Sequence, residues 1–235
     1  MIDKMKCACV LSLAMLMGIT ASCGNVPLPA RDVKAGDNSG DKSILPIVDP
    51  SPVSLPWTVS LAAEENSWTS VAWSPELHLF VAVAETGVRR VMTSPDGLTW
   101  TARRAPEANE WYSVAWSPEL HLFVAVAADG LNQVMTSPDG ITWASCSAGV
   151  EKSQWYSVIW SPELHMFVAV SISGVNQAMS SSDGITWTTH QVSGTKGWFS
   201  VTWSPESRLF VAVGTVGLNR TMTSSDGINW TLSSS

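Results

Sequence analysis

Residues 68–100 read WTSVAWSPELHLFVAVAETGVRRVMTSPDGLTW, and the main features of this stretch return three more times. Its opening, Trp68-Thr-Ser-Val-Ala-Trp73, recurs from Trp111 to Trp116, Trp155 to Trp160 and Trp198 to Trp203, at steps of 43, 44 and 43 residues. Each copy continues with Ser-Pro-Glu, then Phe-Val-Ala-Val, then a Gly and a Met, and ends on Ser-x-Asp-Gly-x-x-Trp. That last element spans Ser94 to Trp100, Ser137 to Trp143, Ser181 to Trp187 and Ser224 to Trp230. A fixed period of this size marks a repeat architecture and overrides segment-by-segment assignment.

Within one unit the patterns are short. Ser70 to Trp73 and Leu79 to Val83 are β-branched and aromatic runs of strand length, separated by the turn residues Ser74-Pro-Glu. Val91 to Ser94 and Leu98 to Thr101 flank Pro95-Asp-Gly97, and Asp-Gly between extended runs signals a hairpin because Gly accepts positive φ. Each unit therefore reads as four antiparallel strands, A to D, and no window carries a helical stripe. The fold class is all-β: a β-propeller of four four-stranded blades with a period near 43 residues. The repeats run 68–110, 111–154, 155–197 and 198–235.

The 13 tryptophans all occupy three repeat positions, at the start of A, the end of A and the end of the Asp-Gly element. Flat rings at every blade are mortar between sheets rather than a sugar-stacking signature. One of them, Trp57, lies 43 residues before Trp100 and predicts an extra N-terminal D-like strand. The arithmetic favours a closed ring of four blades with that strand added outside. The rival is an open arc closed by pairing chains, a homo-oligomer in which the orphan strand exchanges into a neighbour's blade, since an unpaired edge invites pairing.

Ser-x-Asp-Gly-x-x-Trp resembles the Asp-box of BNR-repeat propellers, which include sialidases, sialidase-like domains and lipoproteins like the photosystem II assembly factor. The likeness covers residues 57–235 in four copies. It departs in one respect, because the family places a residue between Asp and Gly and here they are adjacent. The resemblance implies structural roles for Asp96, Gly97, Trp100, Asp139, Gly140, Trp143, Asp183, Gly184, Trp187, Asp226, Gly227 and Trp230. Sialidases use an arginine cluster, a Tyr nucleophile with a Glu partner and a separate acid. Here Tyr112 and Tyr156 share a repeat position with Thr69 and Phe199, and the acids of Ser-Pro-Glu recur in every blade. A position that accepts Thr, Tyr and Phe reads as packing, so no catalytic residue is assigned; a degenerate sialidase-like hydrolase is the enzymatic alternative. His78, His121 and His165, replaced by Arg208 in the fourth unit, sit one per A–B turn and read as hairpin-surface residues. No metal or cofactor is expected, because ligands spread around a ring do not converge on one point.

The chain begins with the basic Met1-Ile-Asp-Lys-Met-Lys6, a 13-residue mostly apolar run from Cys7 to Ile19, and Thr20-Ala-Ser-Cys-Gly24. This is secretory-signal patterning, with Met1 or Met5 as the start, and the run is too short to span a bilayer. Ala21-Ser22-Cys23 resembles a bacterial lipobox, although Thr20 stands where Leu or Val is usual. The resemblance implies a signal over 1–22, lipid on Cys23 as first mature residue, and, because Gly24 is not Asp, attachment to the outer membrane or cell surface. Residues 23–56, rich in Pro and Gly, read as a disordered tether. Cys146 is left alone in the mature chain, so no intrachain disulfide forms. Net charge is −7 and charged residues make up 14% of the chain, which excludes a nucleic-acid partner.

In a propeller the B–C and D–A loops share one face. The B–C loops carry Arg89, Arg90, Asn132, Gln133, Asn176, Gln177, Asn219 and Arg220, so amides and guanidinium groups recur along one rim. Such groups donate and accept, which suits peptide backbone or sugar hydroxyls. The D–A loops, 102–110, 144–154 and 188–197, differ most between units, and variable loops on a rigid scaffold are where recognition sits. The expectation is a non-catalytic extracytoplasmic binding or scaffold protein for a protein or glycan partner, with a lectin-like propeller as the alternative.

Overall fold

The computed structural model describes residues 58–149, 153–192, 197–215 and 220–233. Blade 1 is β1 (Trp68–Ser74), β2 (Leu79–Ala84), β3 (Val91–Ser94) and β4 (Thr101–Arg103). Blade 2 is β5 (Trp111–Ser117), β6 (Leu122–Ala127), β7 (Val134–Ser137) and β8 (Ala144–Cys146). Blade 3 is β9 (Trp155–Ser161), β10 (Met166–Ser171), β11 (Asn176–Ser181) and β12 (Thr188–Gln191). Blade 4 is β13 (Trp198–Ser204), β14 (Leu209–Gly214), β15 (Thr221–Ser224) and β16 (Thr231–Leu232). Every sheet is an antiparallel meander in chain order, so the propeller architecture with four blades is as the repeats require.

The second strand of blades 1 to 3 is buried on both faces, which is why Phe-Val-Ala-Val is continuously apolar instead of alternating, while in blade 4 only Phe210 and Ala212 of that strand are buried. The first strand opens with a register shift at Trp68/Ser70, Trp111/Ser113 and Trp198/Ser200, and opposite Val170/Ser171 in blade 3. The residue this bulge leaves unpaired is Thr69, Tyr112, Tyr156 or Phe199, and a bulge re-aims its side chain. Tyr112 stacks on Tyr156 at 4.0 Å between centroids, and Tyr156 meets Phe199 at 4.7 Å. The packing role read from the Thr/Tyr/Phe exchange follows from this geometry.

The Asp-Gly turn builds itself from local bonds. Ser137 Oγ accepts the Gly140 N–H at 2.8 Å and donates to Asp139 Oδ1 at 2.9 Å. That same Oδ1 accepts from the N–H groups of Ile141 (2.8 Å) and Thr142 (2.7 Å), and the Trp143 indole donates to Gly140 O at 3.1 Å. Gly140 holds φ +70°, and blades 1, 3 and 4 repeat the arrangement. The turn uses the N–H groups of the two residues after Gly, so those residues cannot join a ladder. The fourth strand therefore starts after Trp, at Thr101, and not at Leu98 as the sequence pattern suggests.

Three contacts join one blade to the next. The indole that ends a first strand donates to the glutamate of the preceding blade: Trp116 to Glu76 (2.7 Å), Trp160 to Glu119 (2.7 Å) and Trp203 to Glu163 (2.6 Å). A backbone N–H donates to a serine of the preceding first strand: Val114 to Ser70 (3.2 Å), Val158 to Ser113 (3.1 Å) and Val201 to Ser157 (3.1 Å). The turn glycine seats on the preceding second strand. A Cβ on Gly140 would lie 2.8 Å from Val81 Cγ2 and 3.0 Å from Leu79 Cδ2, so only Gly fits beneath that neighbour.

The closed ring is not what forms. Three apolar cores lie between blades 1 and 2, 2 and 3, and 3 and 4, and the described residues hold none between 4 and 1. Trp73 is 39% exposed where its equivalent Trp116 is 9%, and Val71 is 59% exposed where Val114 is 5%. At the other end Val213 is 44% exposed, whereas Val83, Val126 and Val170 are fully buried. The blades form an open arc. Trp57 lies outside the described residues. Thr58 to Ser60, the counterparts of Thr101–Arg103, carry no strand pairing, because β4, β8, β12 and β16 already fill the four outer positions. Ser60 instead donates its hydroxyl to Gly97 O at 3.2 Å. The signal, the tether and Cys23 also lie outside the described residues.

The turn has an acid signature. The N–H groups of Thr99 and Leu98 and the Ser94 hydroxyl hold the Asp96 carboxyl down to about 2. Burial pulls Asp139 up, but the Thr142 and Ile141 N–H groups and Ser137 outweigh it and leave it below the usual carboxylate range. A depressed folded value means that the ionised turn stabilises above the unfolded pKa of about 3.9 and loses that contribution as pH falls through the folded value. Asp139→Ala should therefore cost about 1–2 kcal/mol at pH 7, the worth of the bonds it removes. Denaturant titrations should show this difference shrinking below pH 4 as wild type also loses its carboxylate; a constant difference down to pH 2 would contradict the charged-turn account.

Candidate functional site

In blades 1 to 3 the loop face is tied together by one residue of the entry loop. Asn66 Nδ2 donates to Arg89 O (2.6 Å), Asn109 Nδ2 to Asn132 O (2.7 Å), and Ser153 Oγ to Asn176 O (3.1 Å). These residues sit 43 and 44 apart, so the repeat period carried the signal, but they fall in loops whose sequences otherwise diverge. Each fastens a B–C loop to the chain entering the same blade, and Asn109 and Ser153 are buried in doing so.

The rim expected from Asn, Gln and Arg is largely spent on the protein itself. Gln133 is buried and donates to Ser153 O at 2.6 Å, and Gln177 is buried in β11. Asn132 donates to Glu107 Oε1 at 2.6 Å, a bond that holds the Glu107 carboxyl below its ordinary range. Arg90 turns back on its own loop, with Nε on Gly87 O (3.1 Å) and Nη1 on Glu85 O (2.8 Å). Asn176 pairs with Gln191 in the β11–β12 ladder. Arg89 is exposed, with its N–H on Glu64 Oε2 (3.1 Å) and its guanidinium 3.6 Å from Glu64 Oε1. Arg220 is exposed, and Asn219 lies outside the described residues.

Beside the exposed Arg89 and Arg220, the loops present aliphatic side chains outward. Val88, Leu131 and Val175 follow the loop glycine in three successive blades and are exposed. Beside Leu131 a cleft of about 300 Å³ is lined by Ala128, Asp129, Gly130, Leu131, Gln133, Ser153 and Gln154, between the B–C loop of blade 2 and the entry to blade 3. Asp129 of that lining is one of a group of neighbouring acids. Burial, with Asp129 and Glu85 nearby, pushes the Glu110 carboxyl up, against the pull of Arg90. Burial also lifts the Tyr112 phenol above its ordinary range, helped by Tyr156 and Glu85. The sequence reading attended to polar residues in these loops and passed over the aliphatic one between them.

The opposite face carries the A–B turns. His78, His121, His165 and Arg208 all take positive φ, from 47° to 50°, which fixes them as turn residues. His78 and His121 lie edge-on to Trp73 and Trp116, each at 6.4 Å. Leu98, Ile141, Ile185 and Ile228, the residues after the turn glycines, are partly exposed there. Cys146 is half-buried in β8 with Thr136 at 3.9 Å, and burial raises its thiol pKa.

No family model matches the chain, and no curated protein matches it. Among solved structures it is similar to virginiamycin B lyase from Staphylococcus aureus, at 9% identity and TM-score 0.61 over 72% of this chain and 56% of that one. YCF48 from Cyanidioschyzon merolae matches at 18% identity and TM-score 0.53, over 72% of this chain and 56% of that one. The nidogen/laminin complex matches at 11% identity and TM-score 0.54, over 71% of this chain and 64% of that one. The chain spans between half and two thirds of these propellers, and the likeness at this identity establishes the fold.

The fastening residues give a local test. Asn109→Ala should cost about 1–2 kcal/mol, because it removes a buried bond and leaves the Asn132 carbonyl without its donor. Hydrogen exchange should quicken at residues 128–133 and stay unchanged in the B–C loop of blade 3. Exchange that quickens equally in both loops would refute a blade-by-blade fastening.

Proposed function

We propose that this chain is a non-catalytic, extracytoplasmic scaffold of the Asp-box type that binds a protein partner on its B–C loop face. The observation that carries this reading is the row of exposed aliphatic tips, Val88, Leu131 and Val175, on loops whose polar side chains are largely engaged. Apolar tips flanked by polar groups and a shallow cleft favour a peptide or protein surface. A glycan site calls for an exposed ring, and on this face the described residues offer none; the exposed Trp73 belongs to the side of blade 1. The likeness to a propeller solved in the nidogen/laminin complex lends the protein reading further support. The absence of a catalytic site is inferred from repetition, since Tyr112 and the acids of Ser-Pro-Glu occupy equivalent positions in successive blades.

Capture from an extracytoplasmic extract of the source cells by the full chain tests the reading. Val88→Asp, Leu131→Asp and Val175→Asp together should abolish capture of a specific protein while circular dichroism stays that of wild type. Capture that survives the triple variant would sink the loop-face proposal, selective signal on a glycan array would favour the lectin alternative, and turnover of a sialoside would overturn the non-catalytic one.

The same reading places lipid on Cys23, with residues 23–56 as a spacer that holds the propeller off a bacterial membrane surface. Radioactive palmitate should label wild type and leave Cys23→Ala unlabelled; equal label in both would refute the anchor.

A further inference from the structure

Each joint between blades has a donor side and an acceptor side, and the arc ends with one of each uncovered. The donor side, on the leading face of a blade, supplies the Trp indole, the Val N–H and the turn glycine. The acceptor side, on the trailing face of the blade before, supplies the Glu carboxylate, the Ser hydroxyl and two aliphatic residues of the second strand.

At blade 1 the donor side stands open. Among the described residues the Trp73 indole has no acceptor, Val71 is exposed, and the only side chain within 4 Å of a Cβ built on Gly97 is Phe80 of its own blade, at 3.6 Å. At blade 4 the acceptor side stands open. Among the described residues the Glu206 carboxylate has only the Ser204 hydroxyl, at 3.5 Å, where the three equivalent glutamates hold an indole. Among the described residues Ser200 receives no N–H from a following strand, and Val213, with the partly buried Val211, lacks the cover that their equivalents have. The two ends thus carry the two halves of a joint that the molecule already makes three times.

We propose that a second copy of this chain covers these ends. Blade 4 of each copy docks on blade 1 of the other, so two arcs close a ring of eight blades through two identical joints. Trp73 of one copy would donate to Glu206 of the other, Val71 N–H would meet Ser200, and Gly97 would seat on Leu209 and Val211. The contact is heterologous in its surfaces, and a two-fold axis closes it into a finite assembly. Eight blades is within the range that propellers adopt. Each sheet already has its four strands, so the contact is face to face and needs no strand exchange.

The asymmetry of the joint supplies the test. Val71→Asp spoils the donor side and Val213→Asp the acceptor side, and both residues are exposed enough for the single arc to keep its fold. The mass of the full-length protein in detergent, measured by native mass spectrometry at micromolar concentration, should be two chains for wild type and one chain for either variant alone. An equimolar mixture of the two variants should regain a two-chain species, because one intact joint can form between them. Glu206→Ala should weaken the wild-type dimer by roughly tenfold per joint, the worth of one such hydrogen bond. Val88→Asp, on the loop face, should leave the mass at two chains. A wild-type protein that stays monomeric, a ladder of masses above two chains, or variants that remain monomeric when mixed would each overturn the proposal.

Discussion

A blade of four short strands has two apolar faces and almost nothing of its own to put between them. Its second strand is buried on both sides only because a neighbour's tryptophan and turn glycine lie across it. The joint between blades is therefore the constraint on which the rest depends. It combines the burial of large rings with a hydrogen bond from an indole to a carboxylate, and the two reinforce each other. Packing covers the ring, and the exposed carboxylate gives the indole N–H a partner that covering the ring would otherwise remove. Where the joint is made, Trp116 and Val114 disappear from solvent; where it is not, Trp73 and Val71 remain in it.

The same economy of polar groups shapes the loop face. Loops crossing the top of a propeller carry backbone carbonyls that need donors, and side chains of the entry loops and of the rim read from the sequence supply them. Asn66, Asn109, Gln133 and Arg90 each end on a loop carbonyl. Fastened in this way, the loops hold their aliphatic tips outward at fixed spacing. An exposed aliphatic surface then arises from residues whose chemistry is plain and whose presentation is unusual.

Much of the blade was legible because its determinants are local. Ser137, Asp139 and Gly140 make their turn with partners two or three residues away, so a seven-residue motif suffices to specify it. The start of the fourth strand was misplaced by three residues for a related reason: apolar pattern marks what is buried, whereas strand pairing depends on which N–H groups the turn has already taken. The site was less legible. Whether Gln133 faces solvent or Ser153 O, and whether Leu131 is covered, depends on loops brought together from different blades.

By itself the sequence determined the repeat, the number of blades, the strands within each and the tryptophan positions, since all of these follow from periodicity and short-range bonds. Only the tertiary structure decided that the ring stays open and that much of the polar rim is spent on its own loops. Both outcomes rest on pairs some 20 to 40 residues apart, such as Asn132 with Glu107 or Glu76 with Trp116. A repeated sequence specifies every joint alike, and only the arrangement of the blades in space leaves Trp73 and Glu206 without each other.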